Sequence, residues 1–428
     1  MYWVSQMPTT PLDIENEFRA ILSPDSIRAA TPTDAVCAVQ PRLVLEPADE
    51  QQLAAVLRVA NDASLSVIPR GGGTKLTWGN PPQRADLILS TARLNKIIEH
   101  VWADLTVSVE AGCTIQKLQS ALAQHGQRLA CDPLWPEQAT IGGILSTNDS
   151  GSLRLRFGPL RDLIIGVTLA LPDGTLASSG GKVVKNVAGY DLPKLATGAF
   201  GTLGVITRAV FRVHPLPRNT RTLSISAGSL EKMQQLILAV QDSQLAHTAL
   251  QTRVAQDTEP VVDILLEGTE AGIAAQVAQL QASAGSVSVL ETAPTIWAAS
   301  HELWTSADSA AAAMAKITTL PASIARTVET VQRAASSRNT HWNLAMQATG
   351  IGWLRLDASA ENLHAVLSDL RVELEASGGS LAAFHQPAGM QPIDAWGKPG
   401  DALPLMRAVK NQLDPKNTLN PGRFVGGI

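Results

Sequence analysis

The sequence predicts an α+β chain in two parts, and three observations predict it. Strand-like and helix-like segments alternate between residues 41 and 90 as in a βαβ unit. A strand, helix, strand pattern occurs twice, at 261 to 290 and at 352 to 384, and prolines at 215 and 217 separate the two textures. At 428 residues the chain exceeds what one compact core normally holds. Charged residues make up 17% and hydrophobic ones 45%, a balance that demands extensive burial and excludes a disordered or fibrous chain.

The elements follow in order. "DIENEFRAIL" predicts a helix packed on the first domain, within an N-terminal extension of residues 1–36. "PRLVL" (41 to 45) reads as a strand, and Leu53, Val56, Leu57 and Ala60 recur at helical spacing in the segment after it. "LSVIPR" is a second strand that runs into Gly71, Gly72 and Gly73. "ADLILS" and "LTVSVEAG" read as strands, "TIQKLQSALAQHG" as a helix, and Asp173-Gly174 as a hairpin turn between two apolar runs. Residues 37–218 are thus assigned to a first domain. Residues 219–399 form a second one, in which the repeats predict a ferredoxin-like antiparallel sheet backed by helices. Residues 400–428 read as a helix stopped at Asp414-Pro415, followed by a turn at Asn420-Pro421-Gly422-Arg423.

Composition also narrows the partners. A formal net charge of −4, without a long block of like charges, gives no footprint for nucleic acid. No apolar run reaches the ~18 residues of a spanning helix and the N-terminus lacks a leader pattern, so a cytoplasmic location is expected. Cys37, Cys113 and Cys131 have neither paired nor metal-type spacing and read as free thiols. The eight histidines form no H-x-H or H-x-x-H pair, so no metal site is expected.

Three glycine-rich segments carry the chemistry. "PRGGGTKLTWG" places Gly71 to Thr74 between Arg70 and Lys75, a pattern able to form an anion-binding nest. "ATIGGILSTNDSG" adds Gly142, Gly143 and Gly151 among small hydroxyl and amide residues, and "GAFGTLGVIT" adds Gly198, Gly201 and Gly204. Three such segments in one domain suit an extended ligand such as a dinucleotide. A Walker loop is excluded, because "GTLASSGGKV" has the wrong spacing and Val183 where Ser or Thr is required. A Rossmann site is disfavoured, because Trp78, Gly79, Asn80 and two prolines follow the glycines where a helix should start.

In this order the segments "VIPRGGGTKLTWG", "CDPLWPEQATIGGILSTNDSG", "GGKVVKNVAGYDLPKLATGAFGTLGVIT" and "LDPKNTLNPGR" resemble the vanillyl-alcohol-oxidase or PCMH-type FAD-binding flavoproteins. Among these the chain is most similar to the FAD-binding E-subunit type of bacterial glycolate oxidase. The resemblance implies a two-subdomain PCMH-type FAD domain with a cap domain, and FAD as cofactor. It implies that Pro69, Arg70, Gly71, Gly72, Gly73, Thr74, Lys75 and Gly79 cradle the phosphates, and that Pro133, Thr140, Ile141, Gly142 and Gly143 line the flavin and diphosphate. Asn148, Ser150 and Gly151 would add polar contacts, Gly204, Val205 and Ile206 would hold the adenine end, and Asn420 and Arg423 would return towards the flavin. Thr74 stands where many members carry a flavin-linked histidine, so the FAD is expected to be noncovalent.

Oxidising a 2-hydroxy acid needs a hydride acceptor, a base and a cation for the carboxylate. Arg355 and His385, on predicted strands of the second domain, are the leading catalytic candidates, with Trp396 and Lys398 behind them. The resemblance implies a role as FAD subunit of a glycolate dehydrogenase complex, beside a D-type flavin subunit and an iron-sulfur subunit. A self-sufficient FAD oxidoreductase and an FAD-stapled scaffold are the alternatives.

Overall fold

The computed structural model describes residues 11–181, 190–284, 287–305 and 311–428. The quoted stretch at 182–189, with Val183, lies outside them. The N-terminal helix forms at Pro11–Ile21, and Phe18 is fully buried against Leu53, Val56 and Leu57 of the helix Glu50–Asp62. That second helix starts where Asp49 accepts the N–H of Gln52, an N-cap placed just before its apolar stripe.

The first half contains two sheets. One has four strands in the order Ile27–Ala29, Leu43–Leu45, Leu87–Ser90, Val67–Arg70. The last three run parallel, and the connecting helix covers one face with Leu53, Leu57 and Ala60. The other sheet has five antiparallel strands and contains the predicted hairpin, with Ala170 opposite Leu176 across the Asp173-Gly174 turn.

The second half is a single sheet of eight strands, antiparallel at every pairing. Each repeat has its strands and helix: Val261–Gly268, Glu270–Ala284 and Ser288–Leu290, then Ile351–Asp357, Ala360–Ala376 and Ser380–His385. Alternation along the strands assigns the two faces. Val262, Ile264, Leu266, Leu354 and Leu356 join the core under the helices. Asp263, Glu267, Trp353 and Arg355 fall on the opposite face, and there Glu267 forms a two-pronged pair with Arg128 of the first half, at 2.8 and 2.6 Å.

The C-terminus closes the molecule. After the helix Leu403–Leu413 the chain lays Leu419 beside Val67, with Val67 N–H donating to Thr418 O and Asn420 N–H to Val67 O, which extends the four-stranded sheet at its edge. Asp414 fixes this turn by accepting the N–H groups of Thr418 and Leu419 and the ammonium of Lys410. Lys410 also donates to the carbonyls of Thr202 and Leu419. Both charges are buried, and burial pushes the Lys410 ammonium below the usual lysine range. Replacing Asp414 by alanine removes the buried cation's counter-charge and leaves two N–H groups without their acceptor. The expected loss is about 3–5 kcal/mol, read as a lowered urea midpoint of the full chain.

Candidate functional site

The strand Val67–Arg70 delivers the chain to the glycine loop, and the loop's sequence is dictated first by this chain's own packing. A Cβ on Gly71 would lie 2.1 Å from Thr140 Oγ1, and one on Gly72 would lie 1.8 Å from the carbonyl oxygen of Gln138. Gly73 adopts φ +75°, in the left-handed region. The close approach to the glycines is therefore made in part by residues 138–140, and a ligand need not account for all of it. No hydrogen bond among the described residues uses the N–H groups of Gly72, Gly73, Thr74 or Lys75, which leaves four donors in one loop.

These donors border a cavity at the junction of the two sheets of the first half. Its lining includes Pro69, Arg70, Gly71, Gly72, Gly73, Thr74 and Lys75 from the loop and Thr140, Gly142 and Gly143 from the second glycine segment. Gly204, Val205 and Ile206 come from the third segment, and Asn420 and Arg423 from the C-terminus. Four separate segments of the sequence assignment thus meet in one place. Gly79, Pro133, Ile141, Asn148, Ser150 and Gly151 are not on this wall. Gly79 packs beneath the Arg423 carbonyl and Ile141 is buried in the core. Asn148 caps the short helix Ile141–Thr147 in the left-handed conformation, and Pro133, Ser150 and Gly151 border a second cavity.

Leu76, Thr91, Ser146, Thr147, Phe200 and Gly201 also line the first cavity and were not assigned to it from the sequence. Ser146 and Thr147 stood within a quoted glycine segment, one helical turn from Gly143. Thr91 had no local signal, since it arrives through the parallel pairing of Arg70 with Ser90.

The cavity's charge suits an anion. Arg423 is 4% exposed and donates to the carbonyls of Leu76 and Trp78, while its Nε has no partner. No carboxylate pairs with it among the described residues, and burial pushes the guanidinium below its usual range. Asn420 donates to Phe200 O, leaving its own carbonyl oxygen unpartnered. A buried cation without a counter-charge is costly, and an anionic ligand would offset that cost. The residues therefore fit FAD, with the loop N–H groups, Arg70 and Arg423 as the donors that would face its diphosphate.

The second cavity, of about 420 Å³, lies between the halves. The first half contributes Asp132, Asp149, Ser150 and Gly151, the sheet contributes Gln251, Gln347 and Trp353, and the helix Ala299–Thr305 contributes Ser300 and His301. Asp132 accepts the N–H groups of Ser152 and Leu153 and the Ser152 hydroxyl, and burial raises its carboxyl above the usual range. Asp149 pairs with Lys75 at 3.1 Å, so one buried ion pair stands between the two cavities. Lys75 Nζ lies 5.5 Å and 5.3 Å from the ring centroids of Trp78 and Trp135.

Arg355 and His385 lie on strands of the large sheet, as expected, and on the wall of neither cavity. Arg355 is held by Asp357 and the Leu303 carbonyl and borders a separate surface depression with Arg253 and Glu302. His385 sits at a register shift opposite Met314, with its ring 6.4 Å from that of Trp304. Trp396 donates to the Arg423 carbonyl, and Lys398 is exposed. The cation that sequence reasoning missed is Lys316. It pairs across the sheet with Trp353, and its Nζ is 5.6 Å from that ring. Burial pushes Lys316 below the usual lysine range, with Asp149 opposing the shift. Its signal in "AMAKIT" is one cation in an otherwise apolar strand.

Residues 41–180 match the family model described as an FAD binding domain. D-lactate dehydrogenase of Archaeoglobus fulgidus is 35% identical over 46% of this chain and 44% of its own length. Glycolate oxidase subunit GlcD of Bacillus subtilis is 25% identical over 90% of this chain and 89% of its own. D-2-hydroxyglutarate dehydrogenase of Xanthomonas citri pv. viticola is 26% identical over 98% and 94%. The fold is shared with p-cresol methylhydroxylase, with a TM-score of 0.78 at 16% identity over 96% of both chains. It is also shared with alkyldihydroxyacetonephosphate synthase, with a TM-score of 0.75 at 17% identity over 97% of this chain and 86% of that one.

Gly72→Ala tests the cavity's construction. Its Cβ must displace the Gln138 carbonyl, so the variant is expected to lose about 1–3 kcal/mol of stability in thermal unfolding and to retain less FAD after gel filtration. Gly400→Ala, with nothing within 4 Å of the added carbon, is the neutral control. The chain thus carries an FAD binding domain over residues 41–180 and shares, along nearly its whole length, the fold of p-cresol methylhydroxylase.

Proposed function

We propose that this chain is the FAD-binding subunit of a 2-hydroxy acid dehydrogenase, with glycolate as the favoured substrate. The observation that carries this reading is the interdomain cavity, which has the imidazole of His301 and the ring of Trp353 in its wall, with the Lys316 ammonium 5.6 Å from that ring. The names of the full-length relatives, a glycolate oxidase subunit and a D-2-hydroxyglutarate dehydrogenase, support the substrate class.

FAD, when bound, supplies the two-electron acceptor. The chain's residues divide the remaining work. Lys316 would hold the substrate carboxylate, in a setting where burial strengthens the attraction. The carboxamides of Gln251 and Gln347, paired across adjacent strands, would orient the ligand by hydrogen bonds. His301 Nε2 or Nδ1 would take the hydroxyl proton. Trp297 and Trp353 would keep water from the reacting carbon. Arg355, already held by Asp357, would have no part in substrate binding.

Under this reading the chain works in a complex with a D-type flavin subunit and an iron-sulfur subunit, passing electrons between them. The alternative is a self-sufficient oxidoreductase of another hydroxy acid, which His301 in the cavity wall and Lys316 behind Trp353 would also serve. Anaerobic addition of glycolate and of D-lactate to the FAD-loaded chain separates the two. Bleaching of the flavin by either acid, without a partner, favours the self-sufficient enzyme, and bleaching only with partner subunits present favours the complex. In whichever preparation turns over, Lys316→Met is expected to raise KM for the acid at least about tenfold with the flavin spectrum unchanged, while Arg355→Met leaves KM within about twofold. Equal KM effects from both variants would refute the assignment of Lys316.

A further inference from the structure

We infer that Asp34, in the N-terminal arm, is a positioning residue for FAD that acts by holding Arg70 against the diphosphate seat. The arm enters the four-stranded sheet as the strand Ile27–Ala29, at the edge opposite the strand that feeds the glycine loop. The chain then crosses the sheet, and Val36 is buried with Val44, Ile68 and Ile88 on its face. The turn Pro32–Asp34 lies on this crossing, and it brings the Asp34 carboxylate to Arg70, 36 residues further on.

The geometry is that of a fixed anchor. Asp34 is 3% exposed and accepts Arg70 Nη1 at 2.7 Å. Arg28 binds the same carboxylate through both terminal nitrogens, at 2.7 and 2.8 Å. The N–H and hydroxyl of Thr31 occupy it further, at 2.8 and 2.9 Å. The hydrogen bonds, that from Arg28 first, hold the carboxyl far below the usual carboxylate range, so it stays ionised at any pH the protein meets.

Two guanidinium groups share one carboxylate, and the group keeps a net positive charge. Among the described residues Arg70 Nε and Nη2 donate to no protein acceptor, and Arg70 lines the cofactor cavity at the start of the glycine loop. A long side chain loses rotamer freedom when it is fixed, and that loss opposes binding. Asp34 makes Arg70 rigid before the cofactor arrives, so less of that freedom is lost on binding. The N-terminal arm is thereby part of the cofactor site, although it lies outside the matched residues 41–180.

The test is a double-mutant cycle on the full chain, with FAD affinity of the apoprotein read by titration and folding read by the thermal midpoint without FAD. Asp34→Asn and Arg70→Met are each expected to weaken FAD binding at least about tenfold, and the double variant to bind no more weakly than the worse single variant. Unchanged affinity in Asp34→Asn, or losses that multiply in the double variant, would overturn the inference. Should Asp34→Asn fail to fold, Arg70→Met alone still decides, because FAD binding at the wild-type level in that variant removes the group through which Asp34 is said to act.

Discussion

The contact between the backbone at Gly72 and the carbonyl of Gln138 is the constraint on which the rest of the site depends. It holds the end of one sheet's strand against the entry to the helix Ile141–Thr147, which packs on the other sheet. The cofactor cavity is the gap left beside that contact. Because Gly71 and Gly72 allow the two segments to touch, the loop borders the cavity, and the N–H groups of Gly72, Gly73, Thr74 and Lys75 have no acceptor among the described residues. The C-terminal segment closes the gap from a third side, tied down by Lys410 and Asp414 and aligned by its pairing with Val67.

The two halves of the molecule meet through aromatic rings. Trp78, fully buried, stacks on Phe384 at 4.8 Å and touches Trp353 at 5.1 Å, while Trp135 and Trp304 meet at 5.3 Å. Five of the nine tryptophans, counting Trp396, lie in this cluster. Rigid rings at offset and tilted angles add attraction beyond their area, and they keep water from Lys75 and Asp149. That ion pair, between the cofactor cavity and the interdomain cavity, therefore works in a low-dielectric setting, where each charge is felt on both sides.

Much of this was legible in the sequence. Periodicity located the N-terminal helix, the strands on either side of the glycine loop, the hairpin and both repeats, because each is specified by local pattern and turn chemistry. The three glycine segments and the terminal Asn-Pro-Gly-Arg turn identified most of the cofactor wall. What escaped was set by tertiary pairing. Thr91 reaches the wall only because Arg70 pairs with Ser90, and Asp34 reaches Arg70 only because the arm crosses a sheet whose strand order does not follow the sequence. Arg355 led the catalytic candidates and Lys316 was passed over, because sequence could not reveal that Asp357, two residues away on the same face, holds the arginine.

The most direct test of the central claim is equilibrium titration of the purified, FAD-free full chain with FAD, followed by acid precipitation of the complex. The account predicts one FAD bound per chain and all of it released to the supernatant, since Thr74 stands where many members of the resembled family carry a flavin-linked histidine. A chain that binds no flavin at saturating FAD would contradict the account, and flavin that remains with the acid-precipitated protein would contradict its noncovalent attachment.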